Sequence, residues 1–337
     1  MFQKVFSFPQ LIIVLASFSI IGCSSGPRAA EMTSTLIVSG SHIDVTIEAA
    51  KNSPAESDIV AWVKAAAESV AAYYGRFPVQ HLTLHVIPFS GHGVRHGQTF
   101  PIDGGLIKIH VGSETSLKEL MSDWMMTHEM IHLAFPSVSE DHHWIEEGIS
   151  TYVEPIARIR ANHMHEEQMW ADLIRDLPKG QPESGDDGLD HTHTWGRTYW
   201  GGALFCFVAD IEIRRQTQNK KGLQDALKGI LDAGGDIRRD WELAKAFQIG
   251  DRAAGTTALT DLYQQMKDRA VTVDLAEKWK QLGIEWDGTT VHLRCDAPMS
   301  ATRRAIIGNL SDPSSTLSPN AAFSPPPVIL AGRKPTT

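Results

Sequence analysis

Two imidazoles four positions apart, with a carboxylate directly after the first, stand at His128-Glu129-Met130-Ile131-His132. On an α-helix, positions i and i+4 lie one above the other on one face, so His128 and His132 can reach a single metal ion together. Glu129 is next to His128 in sequence but rotated about the helix axis, which leaves its carboxylate free to act on water that the metal activates. This is the layout with which Zn2+ hydrolyses a substrate. It works only if a helix carries the motif and a third ligand arrives from elsewhere, because a zinc centre that does chemistry keeps three protein ligands and one open position.

The elements that must position these groups can be sought on either side. Ahead of the motif, Leu117, Leu120, Met121, Trp124 and Met125 recur at helical spacing. Ser116 with Glu119 three residues later reads as a capping box, and Pro136 supplies a stop, so the pattern predicts one buried helix of about five turns. Behind the motif, the run His142-His143-Trp144-Ile145-Glu146-Glu147-Gly148-Ile149-Ser150-Thr151-Tyr152-Val153-Glu154 offers two more histidines and three carboxylates. Glu154 lies about two turns beyond Glu147, so both project from nearly the same helix face. One suits a ligand. The other either accepts the free N–H of a ligand histidine, fixing its tautomer, or pairs with a nearby arginine such as Arg158.

The run from Trp144 to Glu154 resembles the second-helix motif of gluzincin metallopeptidases, above all the aminopeptidase N and glycyl aminopeptidase families. Trp144, Glu147, Gly148, Tyr152 and Glu154 match it residue by residue, which implies that Glu147, not Glu146, is the third zinc ligand. The loop between the two helices is shorter than in the aminopeptidase N pattern. A second resemblance lies in Thr198-Tyr199-Trp200-Gly201-Gly202-Ala203-Leu204, with Asp210, Glu212, Ile213 and Arg214 following. It implies that Tyr199 stabilises the oxygen that gains charge when water attacks a carbonyl; a tyrosine in an aromatic core beside Trp195 and Trp200 is the alternative.

The resemblance spans Ser116 to Leu231. It implies an α+β fold with a thermolysin-like metallopeptidase catalytic core, made of a small N-terminal sheet, zinc-binding helices and a C-terminal helical part. It also implies one Zn2+ on His128, His132 and Glu147, with Glu129 as the base and a peptide or protein as substrate. One family feature is missing: the Gly-x-Met-Glu-Asn signature, whose acid grips the substrate's free amine, does not occur between Ser90 and Gly112. An endopeptidase is therefore expected before an aminopeptidase, with the strand Leu106 to Val111 open to β-addition of an extended peptide. A binding or assembly protein with this fold and no turnover is the reading from another class.

The chain begins with Lys4, an apolar stretch from Leu11 to Ile21, and Gly22-Cys23. That predicts an export signal over residues 1–22, too short for a comfortable membrane span. Ile20-Ile21-Gly22-Cys23 resembles a bacterial lipobox, which implies a cell-envelope protein held to a membrane by lipid on Cys23, with Ser24 and Ser25 compatible with sorting to the outer membrane; a plain transmembrane anchor is the alternative. A linker is expected over 23–34, then an N-terminal α/β part over 35–115 with strands at Ile43 to Ile47 and Leu82 to Ile87 around a helix from Pro54 to Tyr74. The core is expected over 116–231 and a helical part over 232–300, with Trp241, Leu243, Phe247, Leu259, Leu262, Tyr263, Met266, Leu275 and Trp279 inside. Between them, the Gly-, Asp- and Pro-rich loop 178–194 could act as a lid, and its His191 and His193 are read as exposed histidines before metal ligands. The stretch 301–337, Ser-, Pro- and Ala-rich from Ser311, is expected to be disordered. A formal net charge of −9 without long basic runs argues against a nucleic-acid partner. Cys206 and Cys295 cannot form a structural framework, and Cys206 is expected as a buried small hydrophobe.

Overall fold

A computed structural model describes residues 31–48 and 53–308. The signal segment, Cys23 and the Ser- and Pro-rich end lie outside the described residues, and among those described no helix is long and apolar enough to cross a membrane. The chain enters through a hairpin. Strands β1 (Met32–Val38) and β2 (Ser41–Ile47) pair antiparallel across Ser39-Gly40, both at positive φ (50° and 83°), the turn whose twist suits a hairpin. Helix α1 (Glu56–Tyr74) closes at Gly75 with φ 78° and returns the chain to β3 (His81–Phe89), parallel to β2. With β4 (Val94–Phe100) and β5 (Leu106–Gly112) the sheet has the order β1-β2-β3-β5-β4, β4 alone pairing antiparallel with β5. Alternate residues of the central strands are buried, among them Ile43, Val45, Leu82, Leu84, Ile107 and Ile109, as strands with one face on a core require.

This topology corrects the expected peptide-binding edge. β5 lies between β3 and β4, so both its ladders are occupied and no strand can be added to it; the edge near the motif is β4. The linker expected to run to residue 34 ends sooner, because Met32 already pairs with Ile47.

The single helix expected over the motif is two. Helix α2 (Leu117–Ser122) opens with the capping box, Glu119 Oε2 accepting from Ser116 N at 2.8 Å. Asp123 then turns extended, and its Oδ1 accepts from the backbone N–H of Met125 at 2.9 Å and of Met126. Capping a new helix competes with continuing the old one, and α3 (Met125–His132) starts there. The break leaves Leu117, Met121 and Trp124 exposed instead of in the core.

Beyond a short 3-10 turn come α4 (His143–Arg160), α5 (Glu166–Asp176), a π-helical turn (Gly196–Gly201) and α6 (Gly202–Thr217). Helices α7 (Leu223–Asp232), α8 (Leu243–Ala254), α9 (Ala258–Met266) and α10 (Leu275–Leu282) follow, then the small hairpin β6 (Ile284–Trp286) and β7 (Val291–Leu293). Of the nine residues expected inside this part, Leu243, Phe247, Leu259, Tyr263, Met266 and Leu275 are buried and the other three pack partly buried against the core. A last helix, α11 (Ser300–Ile307), overturns the expected disorder from 301 as far as 307. It buries Thr302, Ile306 and Ile307, and Arg160 donates to the carbonyls of Ile306 and Ile307. The mixed α+β character is as expected, with sheet and helices sharing one apolar core.

Candidate metal centre

Helix α3 buries Met126, Met130 and Ile131 on one side, which turns His128 and His132 toward α4. Across the gap, Glu147 Oε2 lies 3.1 Å from His128 Nε2 and 3.7 Å from His132 Nε2. These three atoms fall within 4.8 Å of one another, the one such group of possible metal ligands among the described residues. Two imidazole nitrogens and one carboxylate oxygen converging in a largely buried site form a donor set that fits Zn2+.

The electrostatics agree with that use. Burial pushes His132 down to about 4, so its ring is neutral and its lone pair free at neutral pH. For Glu147 burial opposes the charge, yet hydrogen bonds with His128 and His143 and the nearby imidazoles outweigh it and hold the carboxyl well below its usual range. His143 lies with Nε2 3.3 Å from Glu147 Oε1 and Nδ1 3.1 Å from Glu146 Oε2. Those hydrogen bonds raise it to about 10. It engages the Glu147 oxygen that does not face His128, and the i,i+4 spacing of the two residues on α4 is the sequence signal for that contact.

Glu147 reaches the histidines because α4 and α6 touch backbone to backbone. A Cβ on Gly148 would fall 2.4 Å from the Cα of Gly202, and one on Gly202 would fall 2.0 Å from the carbonyl oxygen of Trp144. Real side-chain carbons do not approach so closely, so both positions need glycine. The same contact brings Tyr199, in the π-helical turn that leads into α6, to the centre. Its ring faces that of His128 with centroids 6.4 Å apart. Burial, with the charges of Glu147 and Glu129, pushes the phenol up to about 12, so it keeps its proton and can donate. π-helical turns inside helices frequently mark functional sites.

Glu129 packs against the sheet edge. Thr99 of β4 donates to its Oε2 at 2.7 Å and to its backbone oxygen at 2.9 Å. Gly97 passes so close that a Cβ there would lie 2.6 Å from Glu129 Cγ. The register of β4 slips between Arg95 and Gln98, where His96 takes φ 51°, a bulge of the kind that re-aims an edge strand beside a site. Burial raises the Glu129 pKa, while His128 and the Thr99 hydrogen bond pull it back. Thr99 and Gly97 escaped the sequence reading because β4 lacks an apolar alternation; only the glycine among polar residues hinted at a close approach.

Glu154 is placed otherwise than in the histidine-orienting role. It is buried, and its Oε1 accepts from Arg158 at 2.9 Å, while Nδ1 of His128 has no hydrogen-bond partner. The arginine one turn on in the same helix is itself buried and needs a counter-charge, so the pair forms within α4.

The loop 178–194 is tied down. Leu189 and Asp190 hydrogen-bond through their amides to the carbonyls of Met266 and Lys267. Asp190 also accepts from Trp144 Nε1 at 2.9 Å and from the Tyr263 hydroxyl at 2.7 Å. Asp186 lies 2.7 Å from Arg197 Nε, both side chains buried. His191 is exposed and pairs with Asp268.

Fold and site together define a class: an α+β protein whose described residues include one largely buried two-histidine, one-carboxylate group fit to hold a metal, beside a sheet edge. No family model matches the chain, and no curated protein matches its sequence. Among solved structures, an aminopeptidase N family protein from Idiomarina loihiensis matches with a TM-score of 0.53 and 12% identity, over 75% of this chain and 49% of that one. An M1 zinc metallopeptidase from Deinococcus radiodurans gives 0.46 and 15% identity, over 72% and 53%. This chain has an aminopeptidase N-like fold, and it spans about half the length of the solved proteins it matches.

Proposed function

We propose that this protein is a zinc-dependent peptidase that hydrolyses peptide bonds. The observation that carries the reading is the convergence of His128, His132 and Glu147 within 4.8 Å, with a buried carboxylate on one side and a protonated phenol on the other. His128, His132 and Glu147 would hold the ion; Zn2+, when bound, lowers the pKa of water and polarises a carbonyl. Glu129 takes a proton from the attacking water and passes it to the leaving amine, a task that a raised carboxyl pKa suits. Thr99 keeps that carboxylate in place. Tyr199 donates a hydrogen bond to the carbonyl oxygen as it gains charge, an interaction worth most in the transition state. One zinc per chain, lost on His128→Ala, is expected by metal analysis; a chain that binds no zinc would leave a non-hydrolytic binding protein as the better reading.

We infer further that internal bonds are cut. The edge strand over Glu129, Val94-Arg95-His96-Gly97-Gln98-Thr99-Phe100, carries no carboxylate to grip a free amine, although the name of the Idiomarina neighbour points to aminopeptidases. Matched peptides with free and acetylated N-termini should be cleaved alike. Sparing of the acetylated one would restore the aminopeptidase reading. The lipobox-like segment supports attachment through lipid on Cys23; Cys23→Ser should then release the protein from the membrane fraction, and a variant that stays there would refute this anchor.

A further inference from the structure

Four rings are in successive contact at the centre. Trp124 meets His128 edge-on with centroids 5.2 Å apart, His128 faces Tyr199 at 6.4 Å, and Trp195 stacks on Tyr199 at 5.8 Å with planes 28° apart. The two middle rings belong to the candidate ligand and the candidate hydrogen-bond donor. The two end residues are exposed, Trp124 at 48% and Trp195 at 61%. Scattered surface hydrophobes need no explanation. Two exposed tryptophans that abut two different rings of the same centre do.

Each end is built to offer apolar surface. On the Trp124 side, Met121 and Leu117 share one face of α2 and are exposed as well. On the other, Lys179 lies 6.0 Å from the Trp195 ring centroid and is itself held by Asp176 at 2.6 Å, a cation–aromatic contact that steadies the indole. An extended peptide advances about 3.3 Å per residue. With its reacting carbonyl beside His128 and Tyr199, one or two residues to either side cover about 3–7 Å, the scale of the 5.2 and 5.8 Å steps from those rings to the tryptophans.

Resting on the peptidase reading above, we propose that Trp124 and Trp195 determine specificity, and that the centre takes peptide segments bearing large apolar side chains on both sides of the reacting bond. The test is calorimetric binding to the zinc-loaded Glu129→Gln protein, which separates recognition from turnover. Two peptides of equal length and charge are compared, one with Leu and Phe flanking the central bond and one with Ser at both positions. The apolar peptide should bind about tenfold more tightly, the order an apolar subsite supplies. That ratio should shrink severalfold in Trp124→Ala and in Trp195→Ala and survive in the Trp→Phe variants. Equal affinities in the parent, or an undiminished ratio in both Ala variants with zinc still bound, overturns the proposal; loss in one variant alone removes the other tryptophan from it. A parent that prefers the apolar peptide yet, with Glu129 restored, cleaves neither would refute the peptidase reading and leave this inference standing.

Discussion

Glu129 owes its character to burial and to its neighbours: burial raises its pKa, while His128 and the Thr99 hydroxyl, bonded to its carboxylate at 2.7 Å, lower it. As a base it acts only when ionised, so activity is lost as pH falls through its pKa. Thr99→Val removes a bond that favours the ionised form, and the acid limb of the kcat/KM profile should move to higher pH; an unmoved limb would dissociate Thr99 from the base. At this scale the motif residues were legible, since i and i+4 spacing on a helix dictates that His128 and His132 share a face. Thr99 and Gly97 were not, because their roles come from contacts across the fold that no local spacing encodes, whereas His143 sits one turn before Glu147 on the same helix, a spacing that was there to be read. Glu154 shows the opposite case: its spacing from Glu147 was read correctly, while its partner was decided by the buried charge of Arg158.

Among elements, β2, β3, β5, α1 and the capping box of α2 were readable because burial imprints its period on the local sequence. The break at Asp123 was hidden, since an aspartate inside an apolar 3.6-residue pattern fits a helix as well as a new cap. β4 left no signal, and its edge position displaced the expected site of peptide addition from β5. The decisive junction is α4 against α6, where Gly148 and Gly202 let two backbones touch and Tyr152 donates to Asp210 at 3.0 Å. Gly148→Ala should cost about 1–3 kcal/mol through overpacking, read by urea denaturation, and should weaken zinc binding by moving Glu147. A variant with wild-type stability and zinc affinity would show that the contact is not what places the ligand.

For the whole molecule, the sheet presents Glu129's partner strand, α3 and α4 bring the ligands, and the C-terminal helices anchor the loop before Tyr199 through Asp190 and Tyr263. α+β character and a helical C-terminal part could be anticipated from the order of patterns; the pinning of loop 178–194 could not, because it depends on α9 more than seventy residues further along. The two cysteines among the described residues are free and fit a fold that rests on its core, Cys206 inside it and Cys295 outside. The central claim is that this assembly hydrolyses peptide bonds with Glu129 as the base. Turnover of an apolar internally quenched peptide should be measured side by side with zinc content for the unaltered protein and for Glu129→Gln. One zinc per chain in both and turnover confined to the unaltered protein is the expected result; normal cleavage by Glu129→Gln, or no cleavage by a zinc-loaded unaltered protein, would contradict it.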